Sequence, residues 1–375
     1  MSKAAELAKA GETLTNQPSG RKNIVTNGAM QVAQRSASET GLGAATGYFT
    51  LDRWSMREGA ASAGRFTMAR VADGPSGFAN CLKLTTTTAD TSIAAGEFLF
   101  LSQRFEGQDL QQLKKGTSDA ESVTVSFYVK GNAAATYVCE LSDTDSDRSI
   151  TQAFTVTTDW VKKTLTFPGD TTGAMDDDTA MSLQLIFWLH GGSTYTSGTF
   201  SDNTWTSETS ANRYAGSRTS IFDATSRTFF ITGVQMEIGS QATNFEHRSF
   251  GEESLLCQRY CTVHNMSGDA DEYVIPYSQG QVDSANRAEI HILYPEKRAA
   301  PTITVTNPTN FKVMTGANTA ITAGSFAGAL VGTGIHGANL FWGVSSGIAV
   351  NDHTGNIKNI YLFQNTGAIT IDAEL

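Results

Sequence analysis

The chain has 375 residues, enough for two or three domains with cores of their own, and only 17% of them are charged, with a formal net charge of −10. This acidic balance, without any run of Lys and Arg, excludes a nucleic-acid-coating role, which needs clustered cations against phosphate. No apolar stretch approaches the roughly 18 residues of a membrane helix, and the first residues lack an apolar core of signal-peptide length, so a soluble chain without membrane insertion or signal-directed export is expected.

The elements are read in chain order. SKAAELAKAGE, residues 2–12, is the best helix candidate, with a weak apolar stripe of Ala4, Ala5, Leu7 and Ala8. A helix this short is marginal alone, and residues 1–22 are read as an anchor held by another chain of a larger assembly. From 23 to 248 strand signals recur. EFLFLSQRF reads as a strand. VTVSFYVK alternates, with Val123, Val125, Phe127 and Val129 on one face. AFTVTTDWVKKTLTF reads as two strands around a Thr-Thr-Asp turn. SLQLIFWLH is apolar on both faces and suits a central strand. RTFFITGVQMEIG places Phe230, Thr232, Val234, Met236 and Ile238 on one face. Between these runs lie polar stretches at 35–48, 141–150, 169–180 and 191–228, the last too long for a plain connection.

Residues 249–261 read as a joint, with a short helical run in ESLLCQRYC. From 262 to 375 short strands resume and make a second β domain. The fold class is therefore all-β: two β-sandwich domains, jelly-roll-like in winding, with a short N-terminal helical anchor.

Little of the sequence points to catalysis or to a cofactor. Asp143, Asp145 and Asp147 stand in a D-x-D-x-D pattern suited to Ca2+, but an EF-hand's glycine at the sixth position and glutamate at the twelfth are missing, and Phe154 stands at the twelfth. A solvated acidic turn is the expectation. Cys257 and Cys261 form C-x3-C near His264 without a second ligand pair, so they read as structural thiols and no metal is expected. No nucleophile elbow, P-loop or H-E-x-x-H occurs, and no carboxylate pair is singled out for glycoside hydrolysis. The 191–228 stretch concentrates aromatics among Ser, Thr, Asn and Asp. Tyr195, Trp205 and Tyr214 are candidate ligand-binding residues, since exposed rings stack on the apolar faces of sugars while polar neighbours bond their hydroxyls. The alternative is that the rings pack the loop onto the sandwich. A competing candidate is HGANLFW, His336 to Trp342, taken as a loop.

Several stretches together resemble a family of tailed-bacteriophage virion proteins. NIVTNGAMQVAQRS with YFTLDRW is similar to the family's opening. SQRFEGQDLQQLKKGT, followed by VTVSFYVKG, is similar to its middle. FFITGVQMEIGSQATNFEHRSFGEESLLCQRY is similar to its close. The resemblance covers about 23 to 261. It implies a sandwich resembling carbohydrate-binding modules, in a non-enzymatic tail-fibre subunit located in the virion. Such a subunit attaches to other virion proteins through its N-terminus, forms a homotrimer and contacts a host-surface glycan. A head fibre or capsid decoration protein, and a glycan-degrading tailspike enzyme, are the alternatives. Asp52-Arg53-Trp54 reads as a buried Trp ring with Asp and Arg paired at the sandwich edge, and Glu237 beside Gly239 and Glu246 near Arg248 read as ties at strand ends.

Overall fold

The computed structural model describes residues 3, 21–59, 62–265, 273–274, 279–284, 287–314, 320–329, 333–344, 356–357, 359–362 and 367–375. The expected anchor segment, 1–22, thus lies outside the described residues apart from Lys3, Arg21 and Lys22, and its helix, 2–12, apart from Lys3. The chain divides into two compact units, Met1–Glu253 with Leu375, and Ser254–Glu374.

The first unit holds β1 (Ser38–Leu42), β2 (Ser55–Gly59), β3 (Arg65–Val71), β4 (Cys81–Thr88), β5 (Phe98–Glu106), β6 (Val123–Gly131), β7 (Ala135–Asp143), β8 (Arg148–Val156), β9 (Val161–Phe167), β10 (Met181–Gly191), β11 (Thr206–Ser207) and β12 (Thr228–Ile238). They form two six-stranded sheets, of order β1-β3-β4-β12-β6-β9 and β11-β8-β7-β10-β5-β2. The chain passes repeatedly from one sheet to the other, an interleaving of the jelly-roll kind. The inner faces meet in one apolar core. Phe127 lies 5.0 Å from Phe187 and Tyr137 lies 5.5 Å from Phe229, ring centre to ring centre, across the sandwich. Trp54 is fully buried in the same core and faces Phe187.

The alternation of β6 holds: Val123, Val125, Phe127 and Val129 all belong to the core. SLQLIFWLH is indeed interior to its sheet, as β10 between β7 and β5. The two strands read around the Thr-Thr-Asp turn are β8 and β9, and they belong to opposite sheets, so the turn is an arch over the sandwich edge. One expectation needs correction. The core face of β12 changes along its length. Phe229 and Ile231 enter the core, and then Val234 and Met236 do, because the register with β6 shifts between Thr232 and Gln235. Gly233 sits in that shift at φ +61°, a left-handed conformation that glycine adopts without strain. One extra residue therefore moves Phe230 and Thr232 off the core face.

The second unit begins within a helix, α3 (Phe250–Gln258), counted after α1 (Ser193–Thr196) and α2 (Ser210–Arg213) of the long 191–228 stretch. Its strands are β13 (Cys261–Asn265), β14 (Tyr273–Val274), β15 (Gln279–Ser284), β16 (Arg287–Leu293), β17 (Thr302–Thr306), β18 (Phe311–Met314), β19 (Ala320–Ala329), β20 (Gly337–Val344), β21 (Asn356–Ile357), β22 (Asn359–Leu362) and β23 (Ala368–Asp372). They pair as a three-stranded sheet, β13-β23-β17, and an eight-stranded sheet, β14-β22-β18-β19-β20-β16-β15-β21. HGANLFW is largely β20, interior to the larger sheet. Trp342 is buried and packs 5.2 Å from Phe311, so this stretch is no loop and its tryptophan offers no platform. Cys257 and Cys261 are buried free thiols.

Candidate functional site

The motif stretches, distant in sequence, converge on one polar clasp in the first unit. Asn23 Oδ1 accepts from the Val25 and Met236 N–H groups, and its Nδ2 donates to Val234 O at 3.1 Å. Glu246 Oε2 accepts from the N–H groups of Lys22 and Asn23. Those N–H bonds and the Arg248 guanidinium overcome the cost of burial and hold its carboxyl below the usual range. Arg248 donates to Glu246, to Val25 O at 3.1 Å and to Asn23 O.

Asn27 extends the clasp. Its Nδ2 donates to Val32 O and Asp52 O, its Oδ1 accepts from Gln31 and Val32 N–H, and its own carbonyl accepts from Trp54 Nε1. Asp52 accepts from Gln34, and Arg53 donates to Arg104 O. Gln103 exchanges two bonds of 2.8 Å with the Thr26 backbone. Glu237 takes the N–H and the hydroxyl of Thr243. At Gly28 the backbones press so close that a Cβ would lie 2.1 Å from Val234 O. These groups anchor backbone, which is what the sequence reading expects of Glu237, Glu246 and Arg248.

The three candidate rings of the long stretch separate into two places. Phe187 points into the core, so Trp188 points to the opposite face of its sheet. There Tyr195 lies 5.4 Å from Trp188 and 5.1 Å from Phe98, and Tyr214 stacks on Trp188 at 5.8 Å. Tyr214 is only 2% exposed and its hydroxyl donates to Thr219 O. Tyr214 is therefore corrected to a packing residue, because its ring faces are covered. Tyr195 is half-buried in the same stack.

Beside it the carboxylate of Glu140, fully buried, accepts from Arg213 Nε at 2.9 Å and from Trp188 Nε1 at 2.5 Å. Burial pushes the Glu140 carboxyl above its ordinary value, and Arg213 with the indole N–H opposes that rise. Arg213 also reaches Glu208 at 2.7 Å. Sequence reading missed Trp188 and Glu140. Both sit on interior strands, and the only signal is their matched outward parity at a Trp188–Val138 pairing next to Glu140.

Trp205 lies elsewhere, beside Lys115. It is half-buried, its Nε1 donates to Pro168 O at 2.8 Å, and the Lys115 ammonium lies 5.3 Å from its ring centre. Lys115 is itself buried, with its Nζ 2.5 Å from Asp143 Oδ2 and 3.0 Å from Asp170 Oδ2. It also donates to Thr172 O and Gly173 O. Arg148 forks onto Asp170 through Nε at 2.7 Å and Nη2 at 3.1 Å. Burial disfavours the Asp170 anion, but bonds from Arg148, Lys115 and Thr172 N–H outweigh it and lower the pKa.

The acidic turn is thus not wholly solvated. Asp143 is fully buried, and its Oδ1 caps the turn through Asp145 and Ser146 N–H, while Asp145 and Asp147 are exposed. Against Lys115 opens a hollow of about 450 Å³, lined by Leu110, Gln111, Lys114, Lys115, Thr117, Asp119, Ala174 and Met175. Trp205 lines a smaller crevice that shares Lys115 and Met175 with this hollow.

No protein-family model matches the chain, and no curated protein does. Among solved structures it is similar to the enzymatically active domain of tailspike protein 4 from bacteriophage CBA120, at 12% identity and a TM-score of 0.32 over 58% of this chain and 21% of that one. It thus spans about a fifth of the tailspike chain. It is also similar to the family 11 carbohydrate-binding module from Clostridium thermocellum in complex with a mixed-linked tetrasaccharide, at 11% identity and a TM-score of 0.29 over 56% of this chain and 99% of that one. A structure titled CBM4 structure and function shares 15% identity at a TM-score of 0.30, over 57% of this chain and 99% of that one. Likenesses of this level fix neither the fold nor the ligand of the chain.

Proposed function

We propose that the chain is a bacteriophage virion structural protein, a non-enzymatic tail-fibre subunit that attaches through its N-terminal segment and presents its β-sandwich to a host-surface glycan as a homotrimer. The observation that supports this reading most is the clasp. Asn23, Asn27, Asp52, Trp54, Gln103, Glu237, Glu246 and Arg248 come from the stretches that carry the phage-protein resemblance, and they meet in one hydrogen-bonded unit. Matches scattered by chance would have no reason to meet. Of the candidate rings, Trp205 and Tyr195 remain for ligand contact, Trp205 being half-buried in the crevice it shares with Lys115 and Met175.

The test uses antibodies against the full chain on intact particles of the phage that encodes it. Gold label on tail appendages is expected in electron micrographs. Label confined to the head would replace the tail-fibre assignment with a head fibre or decoration protein, and intact or disrupted particles free of the chain would overturn the virion reading.

A further inference from the structure

We propose that the hollow beside Lys115 binds a neutral saccharide, an inference that rests on the glycan-recognition reading above. Its volume of about 450 Å³ falls within the roughly 300–1,000 Å³ of small-molecule sites. Met175 and Ala174, with Leu110 buried beneath, give it an apolar surface, which suits the C–H face of a sugar ring. Around that surface stand a side-chain amide, a hydroxyl and a carboxylate, from Gln111, Thr117 and Asp119, which suit its hydroxyls.

The walls are held in place before any ligand arrives. Gln111 Nε2 reaches across to Gly107 O and Asp176 O, both at 3.1 Å, which leaves Oε1 to accept from a sugar hydroxyl. Thr117 Oγ1 donates to Lys114 O and accepts from Asp119 N–H, which fixes the opposite rim. The two walls touch at Gly116, where a Cβ would lie 2.8 Å from Ala174 N. Preformed walls lower the ordering cost of binding.

The charge pattern selects the ligand class. Lys114 is paired with Glu121 at 2.7 Å, and the Lys115 ammonium is enclosed by Asp143, Asp170 and two carbonyls. Both lysines of the hollow are therefore already engaged with anions. Asp119 lines the hollow, and Asp176 to Asp178 follow Met175 in the chain. A phosphorylated or uronic-acid saccharide would meet the Asp119 carboxylate and two lysines already engaged with anions. A neutral one meets only hydrogen-bonding partners and the apolar floor.

The experiment is saturation-transfer NMR on the full chain with maltose, cellobiose and diacetylchitobiose as neutral probes and glucuronic acid as the anionic probe. Ala174→Trp and, from the other wall, Thr117→Trp fill the hollow at exposed positions, and circular dichroism checks that each variant folds. Transfer to at least one neutral probe is expected, with affinity lost by about tenfold or more in either folded variant, about 1.4 kcal/mol. Equal binding by wild type and folded variants would overturn the site while leaving glycan recognition standing. Transfer to glucuronic acid alone would overturn the ligand class. Transfer to no probe would overturn the inference, and the virion reading would then still be decided by the particle labelling.

Discussion

Asn27 sits at φ +58°, and its side chain makes four hydrogen bonds to backbone groups of Gln31, Val32 and Asp52. Asparagine tolerates this left-handed conformation better than most residues. Its amide supplies both donors and acceptors to a stretch of backbone that no strand partner satisfies. Alanine would leave buried N–H and C=O groups unpaired and would also be strained at positive φ. Asn27→Ala should therefore destabilise the first unit by about 3–5 kcal/mol, read as a lower urea midpoint at unchanged slope. A loss below about 1 kcal/mol would show that water or a local shift replaces the amide. The Asn-Gly pair is legible in the sequence as a turn. Its partners, at Asp52 and Trp54, are not, because a side-chain amide has no periodicity that names its acceptor.

At the scale of the element, the 191–228 stretch is held on its sheet by α2 and the residues that follow it. Arg213 reaches Glu140 and Glu208, Tyr214 stacks on Trp188, and His190 Nδ1 shares a 2.7 Å bond with Ser220. Removing Arg213 leaves Glu140 buried without its counter-charge. Arg213→Ala should cost about 3–5 kcal/mol near neutral pH and should expose 192–220 to limited proteolysis.

The pH dependence follows from Glu140. Its folded pKa already lies above the ordinary 4.5, and loss of Arg213 raises it further. The variant fold then binds more protons than the unfolded chain between 4.5 and that raised value, so its stability falls as pH rises through this window. The deficit relative to wild type should accordingly be smallest below pH 4.5 and full above the raised pKa. Unfolding curves at several pH values check this, and a deficit independent of pH would assign the loss to packing alone. The aromatics of this stretch stand out in the sequence. Whether a ring faces solvent or a strand's tryptophan depends on the surface beneath it, and here that surface is Trp188.

At the scale of the whole molecule, the first unit carries a continuous core between its two sheets, and its clasp is completed by Arg248 and Glu253 just before the division at Ser254. A fragment of residues 21–253 should therefore fold alone, with one cooperative thermal transition and a strand-rich circular dichroism spectrum. A fragment ending at 245 lacks Glu246, Arg248 and Glu253 and should melt several degrees lower. Aggregation of both fragments would mean that the first unit is not autonomous.

The sequence by itself determined that the chain is built of strands. Alternation with period two is a local property, so β6 and the interior character of β10 can be read from a few residues. It also marked the motif stretches whose residues form the clasp. Only the tertiary structure decided which sheet each strand joins, as with β8 and β9, because either assignment buries the same apolar face. It also decided that Gly233 exchanges the faces of β12, since a bulge changes pairing without changing composition. Burial of Tyr214, pairing of Asp143 with Lys115, and the hollow between 111–119 and 174–175 belong to the same class. Each depends on residues far apart in the chain that meet only after the sheets have formed, and a meeting of that kind leaves no periodic trace in the sequence.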